Sequence, residues 1–144
     1  MSENLAARAD VTIQGAVSQV WDALVNADKI KQYMFGATVV SDWKVGSPIV
    51  WKGQWNGKSF EDKGRILDIE EGKLLRYSHF SPLSGAPDRP ENYHTVTIRM
   101  DGTDGAVHVE LSQDNNPNEK AREESRRNWS AMLAGLKKTV ETPV

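Results

Sequence analysis

Residues 116–141 constrain the fold more than any other stretch of this chain. Asn116-Pro117-Asn118-Glu119 places a capping Asn, a Pro at the first helical position and a Glu three residues after the cap, which together signal a helix start. Ala121, Ser125, Trp129, Met132, Leu133, Leu136 and Val140 then recur at spacings of three and four, so one face is apolar. Arg122, Glu123, Arg126 and Arg127 fall on the other side, with Glu123 and Arg127 spaced for an i,i+4 pair. Lys137-Lys138 sits at the end that a helix dipole makes negative. About 24 residues at about 1.5 Å each make a rod of roughly 36 Å. A rod that long, with a stripe that apolar, needs a broad surface to lie against.

The rest of the chain reads as that surface. After an expected flexible tail over residues 1–8, Ala9, Val11 and Ile13 alternate with polar neighbours as a first strand. Val20, Trp21, Leu24 and Val25 have helical spacing, and Asn26 starts a second short helix with Ile30, Tyr33 and Met34 on one side. Beyond Phe35-Gly36 the period changes to two. Residues 38–43 form a strand, and Ile49, Trp51, Gly53 and Trp55 share one face of the next. Asn56-Gly57 is a two-residue hairpin signal leading into a long strand over 58–69, where Gly64 marks an expected bulge. Leu75, Tyr77 and His79 follow in phase, then His94, Val96, Ile98 and Met100, then Val107, Val109 and Leu111. Residues 82–91, with four of the chain's Pro and Gly residues, form a loop between the fifth and sixth strands. One strand, two short helices, six consecutive strands and a long helix predict an α+β fold. The expectation is one domain over residues 9–141, a curved antiparallel sheet of six to seven strands wrapped around the carboxy-terminal helix.

Composition narrows the function classes. Eighteen basic against 20 acidic residues, without a basic block, argue against nucleic acid as a partner. There is no cysteine, so disulfide and thiolate chemistry are excluded. No apolar run has the length of a membrane span and the first ten residues lack a signal-peptide core, so a cytoplasmic protein without membrane insertion is expected. No phosphate loop, dinucleotide fingerprint or nucleophile elbow is present.

Several strings carry a resemblance: Val17-Ser18-Gln19-Val20-Trp21-Asp22-Ala23-Leu24, Ser41-Asp42-Trp43-Lys44-Val45-Gly46-Ser47, Glu61-Asp62-Lys63-Gly64, and Asn128-Trp129 with Leu133, Gly135 and Leu136. With the element order, they resemble the START-like or SRPBCC superfamily and its helix-grip fold. More closely, the chain is similar to bacterial homologues of the activator of the ninety-kilodalton heat-shock chaperone's ATPase. The similarity covers roughly residues 9 to 141. It implies a hollow between sheet and helix that takes a small apolar or aromatic, lipid-like ligand. It also implies, as alternatives, a chaperone partner or a cyclase- or hydrolase-like activity in the same cavity.

The residues themselves offer a few polar candidates. His79 and His94 fall in neighbouring strands on matching faces, placed for a hydrogen-bonded pair or polar cavity lining; a metal would need a third ligand that the sequence does not supply. Of Glu61 and Asp62, alternation sends one inward, where it can act as a general base or meet a ligand's hydroxyl, or pair with Lys52, Lys63 or Arg65. Five Trp are many for 144 residues. Trp51, Trp55, Phe60 and Tyr77 read as inner-face aromatics, Trp129 as packing against the sheet, and His108 as facing solvent. The expected lining is therefore Trp21, Met34, Phe35, Trp51, Trp55, Phe60, Asp62, Tyr77, His79, Tyr93, His94, Met132 and Leu136. Loop 82–91 and the Met34-Phe35 junction form the entrance. No catalytic residue, metal or cofactor is assigned, and a monomer or weak dimer is expected.

Overall fold

The computed structural model describes residues 5–34, 36–55, 57–82, 85 and 87–141, with the Trp55 side chain outside that set. In chain order the elements are β1 (Leu5–Ile13), α1 (Val17–Val25), α2 (Ala27–Tyr33), β2 (Thr38–Ser41), β3 (Pro48–Trp55), β4 (Lys58–Glu70), β5 (Leu74–His79), β6 (His94–Thr103), β7 (Ala106–Asn116) and α3 (Glu119–Glu141). The sheet order is β1-β7-β6-β5-β4-β3-β2, and every pairing is antiparallel. This is the α+β architecture that the alternation predicts and the helix-grip fold that the resemblance implies.

β1 begins at Leu5, four residues before the alternation becomes readable. Leu5 and Ala7 already pair with Asn116 and Gln113 of β7, and Ala7 is buried. Ala6, Ala7 and Ala9 give almost no contrast between faces, so the strand is hidden in a run that looks like a tail. Lower on the same pair, His108 Nε2 lies 2.8 Å from an Asp10 carboxylate oxygen on the outer face. That contact raises the imidazole pKa above 6.5. A raised folded-state pKa contributes stability that is fully present below the unfolded value and lost as pH rises through the folded one. Asp10→Asn is therefore expected to lower the melting temperature slightly below about pH 6 and to leave it unchanged near about pH 9, read from melts of both proteins across that range.

At the other end of β7 the helix start differs from its sequence signature. Asn118, not Asn116, caps α3, its Oδ1 accepting from Ala121 N–H at 2.9 Å. Asn116 closes β7 and is buried: its amide donates to the Leu5 carbonyl at 2.8 Å and the Gln113 carbonyl at 3.1 Å, while its Oδ1 accepts from Ser125 at 3.0 Å. Two asparagines flank Pro117, and local sequence does not say which one tertiary contacts claim. On the exposed face Glu123 pairs with Arg126 rather than Arg127. Met132, Leu133 and Leu136 are the buried stripe, with Trp129 and Val140 half-buried beside them. The helix rests mainly on β1, while α2 covers the β2 side.

β4 joins the two halves of the sheet. It pairs with β3 from Lys58 to Arg65 and with β5 from Ile66 onward. The bulge expected at Gly64 lies three residues later, between Ile66 and Asp68. Gly64 has a different task. The Ser78 carbonyl of β5 passes so close that a Cβ built on Gly64 would overlap it. The missing side chain lets β4 cross β5 tightly and bend, and Lys63 resumes backbone pairing with Phe80 beyond the crossing, at 3.0 and 2.8 Å.

Candidate functional site

Strand alternation and register set four side chains in a row across the inner face. Trp51 of β3 is the direct cross-strand partner of Asp62 in β4, and His79 of β5 is the direct partner of His94 in β6. The row closes where β4 meets β5: Asp62 Oδ2 lies 2.9 Å from His79 Nε2, which donates to it. Glu61, one residue back, points outward, 4.0 Å from Lys52. Alternation thus sends Asp62 inward, onto His79, and Glu61 outward, onto Lys52.

The surroundings fix these groups. The Trp51 ring meets His79 edge-on at 5.1 Å between centroids and tilts against Tyr77 at 5.2 Å. His79 and His94 stack at 6.4 Å. His94 Nδ1 sits 3.0 Å from the Asp114 carbonyl, which can only accept, so Nδ1 carries a proton and the neutral ring keeps its lone pair on Nε2. Asp62 is only 17% exposed, and its Oδ1 is sealed from solvent without a hydrogen-bond partner among the described residues. An unpaired buried oxygen on a carboxylate is costly, and such groups are rare in native folds.

Behind this row the interior is full. Tyr33, Met34, Trp43, Ile49, Trp51, Tyr77, Ile98 and Met132 surround a void of about 20 Å³, room for about one water and not for an organic ligand. Burial pushes the Tyr33 and Tyr77 phenols far above their usual pKa, and Tyr33 donates to the Ala23 carbonyl at 2.7 Å. In this state Asp62 Oδ1 is sealed and the void behind it is small, so entry of a ligand requires side chains to move.

The structure thus brings together Trp51, Asp62, Tyr77, His79 and His94. Phe60 lies next to them, its ring over Gly53, where a Cβ would meet it at 2.8 Å. Met34 borders the small void at the end of α2, while Trp21, Met132 and Leu136 are core. Tyr93 is turned to the other side of the sheet. It stacks on Phe80 at 5.1 Å and donates to Asp88 Oδ1 at 2.6 Å, and Asp88 in turn forms an ion pair with Lys63. Those partners, Lys63 first, hold the Asp88 carboxyl below its ordinary range. Together they wall an outer groove of about 630 Å³ over Val50, Arg65, Ser78 and Thr95. Phe35 and the Trp55 side chain lie outside the described residues.

Two neighbours of the site escaped the sequence reading. Gln113 is inward, buried, and accepts from Trp129 Nε1; one more step of the Val107, Val109, Leu111 alternation reaches it. Trp43 borders the void from a residue with φ of 57° just past β2, a conformation no periodicity announces. Among the described residues no cluster of three His, Cys, Asp or Glu side chains could hold a metal. No helix among them is long and apolar enough to cross a membrane.

Comparison with known proteins places this architecture. Residues 15–141 match the family described as Activator of Hsp90 ATPase homolog 1-like protein. The solution structure of ChR145 from Cytophaga hutchinsonii is 56% identical, with 98% of this chain and 97% of that one covered and a TM-score of 0.86. MLL2253 from Mesorhizobium loti is 18% identical over 96% and 99% of the two chains with a TM-score of 0.77. The Aha1 dimer from Colwellia psychrerythraea is 17% identical over 94% and 96% with a TM-score of 0.72. The last two share the fold alone. Among curated proteins none matches this sequence. A family match from residue 15 to residue 141, together with a seven-stranded antiparallel sheet gripping a long terminal helix, means that this chain belongs to the Activator of Hsp90 ATPase homolog 1-like family.

Proposed function

We propose that this protein binds a small apolar or aromatic molecule on the inner face of the sheet, at the row Trp51, Asp62, His79 and His94. The observation that carries this reading is the polar row itself. A carboxylate and two tautomer-fixed imidazoles stand at the edge of an interior whose other inward side chains on β3 to β7 are almost all apolar or aromatic. A plain core would gain nothing from an unpaired Asp62 oxygen, whereas a recognition site needs a few fixed polar groups on an apolar wall. The fold supports the reading, since the backbone of α3 lies mainly against β1 and that of α2 against β2, away from β4, β5 and β6.

The test is a titration of purified protein with planar aromatics, long-chain lipids and sterols, followed by amide chemical shifts. Saturable shifts at Trp51, Asp62, Tyr77, His79 and His94 are expected with at least one class. A folded sample silent across the panel overturns the reading. A second reading, a role beside a heat-shock chaperone, draws on the family description and on Val40, 56% exposed on the edge strand β2 next to Val50. Capture of the protein by the purified chaperone, lost on Val40→Lys, would favour it.

A further inference from the structure

We infer that the ligand of the inner site is an organic cation, an aromatic or apolar amine whose ammonium group hydrogen-bonds to Asp62 Oδ1. The inference rests on the proposed function and names the chemistry of its ligand. Asp62 is the one carboxyl side chain among the described inward positions of β3 to β7, and no Lys or Arg shares that face with it. Its nearest cations in sequence, Lys63 and Arg65, are turned to the opposite face by alternation, Lys63 onto Asp88 and Arg65 onto the Gly46 carbonyl at 3.0 Å. No Lys or Arg from the described residues reaches the carboxylate. His79 satisfies one oxygen and leaves the other sealed from solvent and without a partner among the described residues.

A site with one carboxylate, no fixed cation and an aromatic wall is selective by charge. An anionic ligand meets repulsion from Asp62 in a medium that screens poorly. A neutral ligand's hydroxyl supplies a donor to Oδ1 but brings no charge. An ammonium supplies both the missing donor and the missing charge, and the Trp51 ring beside Asp62 adds a face that attracts cations. His94 Nε2, kept as an acceptor by the Asp114 carbonyl, offers a second place for an N–H.

Three probes with the same ring system separate these cases: 2-(aminomethyl)naphthalene, cationic at neutral pH, 2-naphthalenemethanol, and 2-naphthoate. The amine is expected to bind about ten- to a hundredfold more tightly than the alcohol, and the naphthoate more weakly still. Asp62→Asn keeps an acceptor for His79 and removes the charge; it is expected to bring the amine down to the affinity of the alcohol. A measurement on the native protein needs no variant: the Asp62 side-chain carboxyl carbon resonance is expected to move with the amine at the same midpoint as the Trp51 indole. Equal affinity for all three probes, an amine preference that survives Asp62→Asn, or a still Asp62 resonance while Trp51 shifts would overturn the cation assignment and leave the binding site standing. Binding of none of the three would overturn the cation assignment, and silence across the lipid and sterol panel as well would overturn the binding site with it.

Discussion

Gly64→Ala is expected to destabilise the protein by about 3 kcal/mol, a fall in melting temperature of about 6–12 °C at this chain length. The conformation at Gly64 is not the reason, because its backbone is one that other residues adopt. The reason is space. A methyl group there would overlap the Ser78 carbonyl, a backbone atom that cannot swing aside as a side-chain tip does. Relief requires β4 and β5 to separate where the Arg65 N–H bonds to Ser78 Oγ at 3.0 Å and where Lys63 pairs with Phe80. Thermal melts check this, and a variant within about 2 °C of the native protein would contradict the tight crossing. The same separation shifts Asp62 and His79, which are chain neighbours of Lys63 and Phe80, so a folded Gly64→Ala protein should also bind ligand more weakly.

Leu136→Ala carries the second large effect. Leu136 has no exposed surface and stands with Met132 and Leu133 on the stripe that seats α3. Removing its buried methyl groups forfeits their transfer free energy and leaves a void that the crowded contacts with β1 and the short helices refill only in part. The expected loss is about 2–5 kcal/mol by denaturant unfolding. Lys138→Ala, on the exposed side of the same helix, should stay within about 0.5 kcal/mol of the native protein. If the two variants lost equal stability, α3 would owe its place to helix propensity rather than to the grip.

How far the sequence shows this molecule depends on what kind of signal each part leaves. The helix and most strands are legible because apolar side chains repeat at 3.6 or 2, and the order from β2 to β7 follows from consecutive antiparallel strands, whereas the place of β1 beside β7 does not. The His79–His94 pairing was likewise readable from phase. By contrast, the alanines at the start of β1 erase the contrast that alternation relies on, and the choice between Asn116 and Asn118 as cap depends on a contact with Leu5, 111 residues away. Tyr93 was expected in the same lining as His94, yet adjacent residues near a strand point to opposite faces, and the structure gives Tyr93 to the outer groove. Pairing Asp62 with His79 rather than with a nearby Lys or Arg required the exact crossing of β4 over β5, which Gly64 enables and no periodicity records. Nor does sequence report that the interior behind Trp51 is nearly full.

The most direct test of the account is where a bound aromatic molecule perturbs the protein. Amide and indole shifts followed through a naphthyl-ligand titration should saturate with a single midpoint and cluster on Trp51, Asp62, Tyr77, His79 and His94, with Gln113 and Trp129 responding next. Shifts concentrated instead on Val50, Arg65, Ser78 and Thr95 would move binding to the outer groove and contradict the inner-row site.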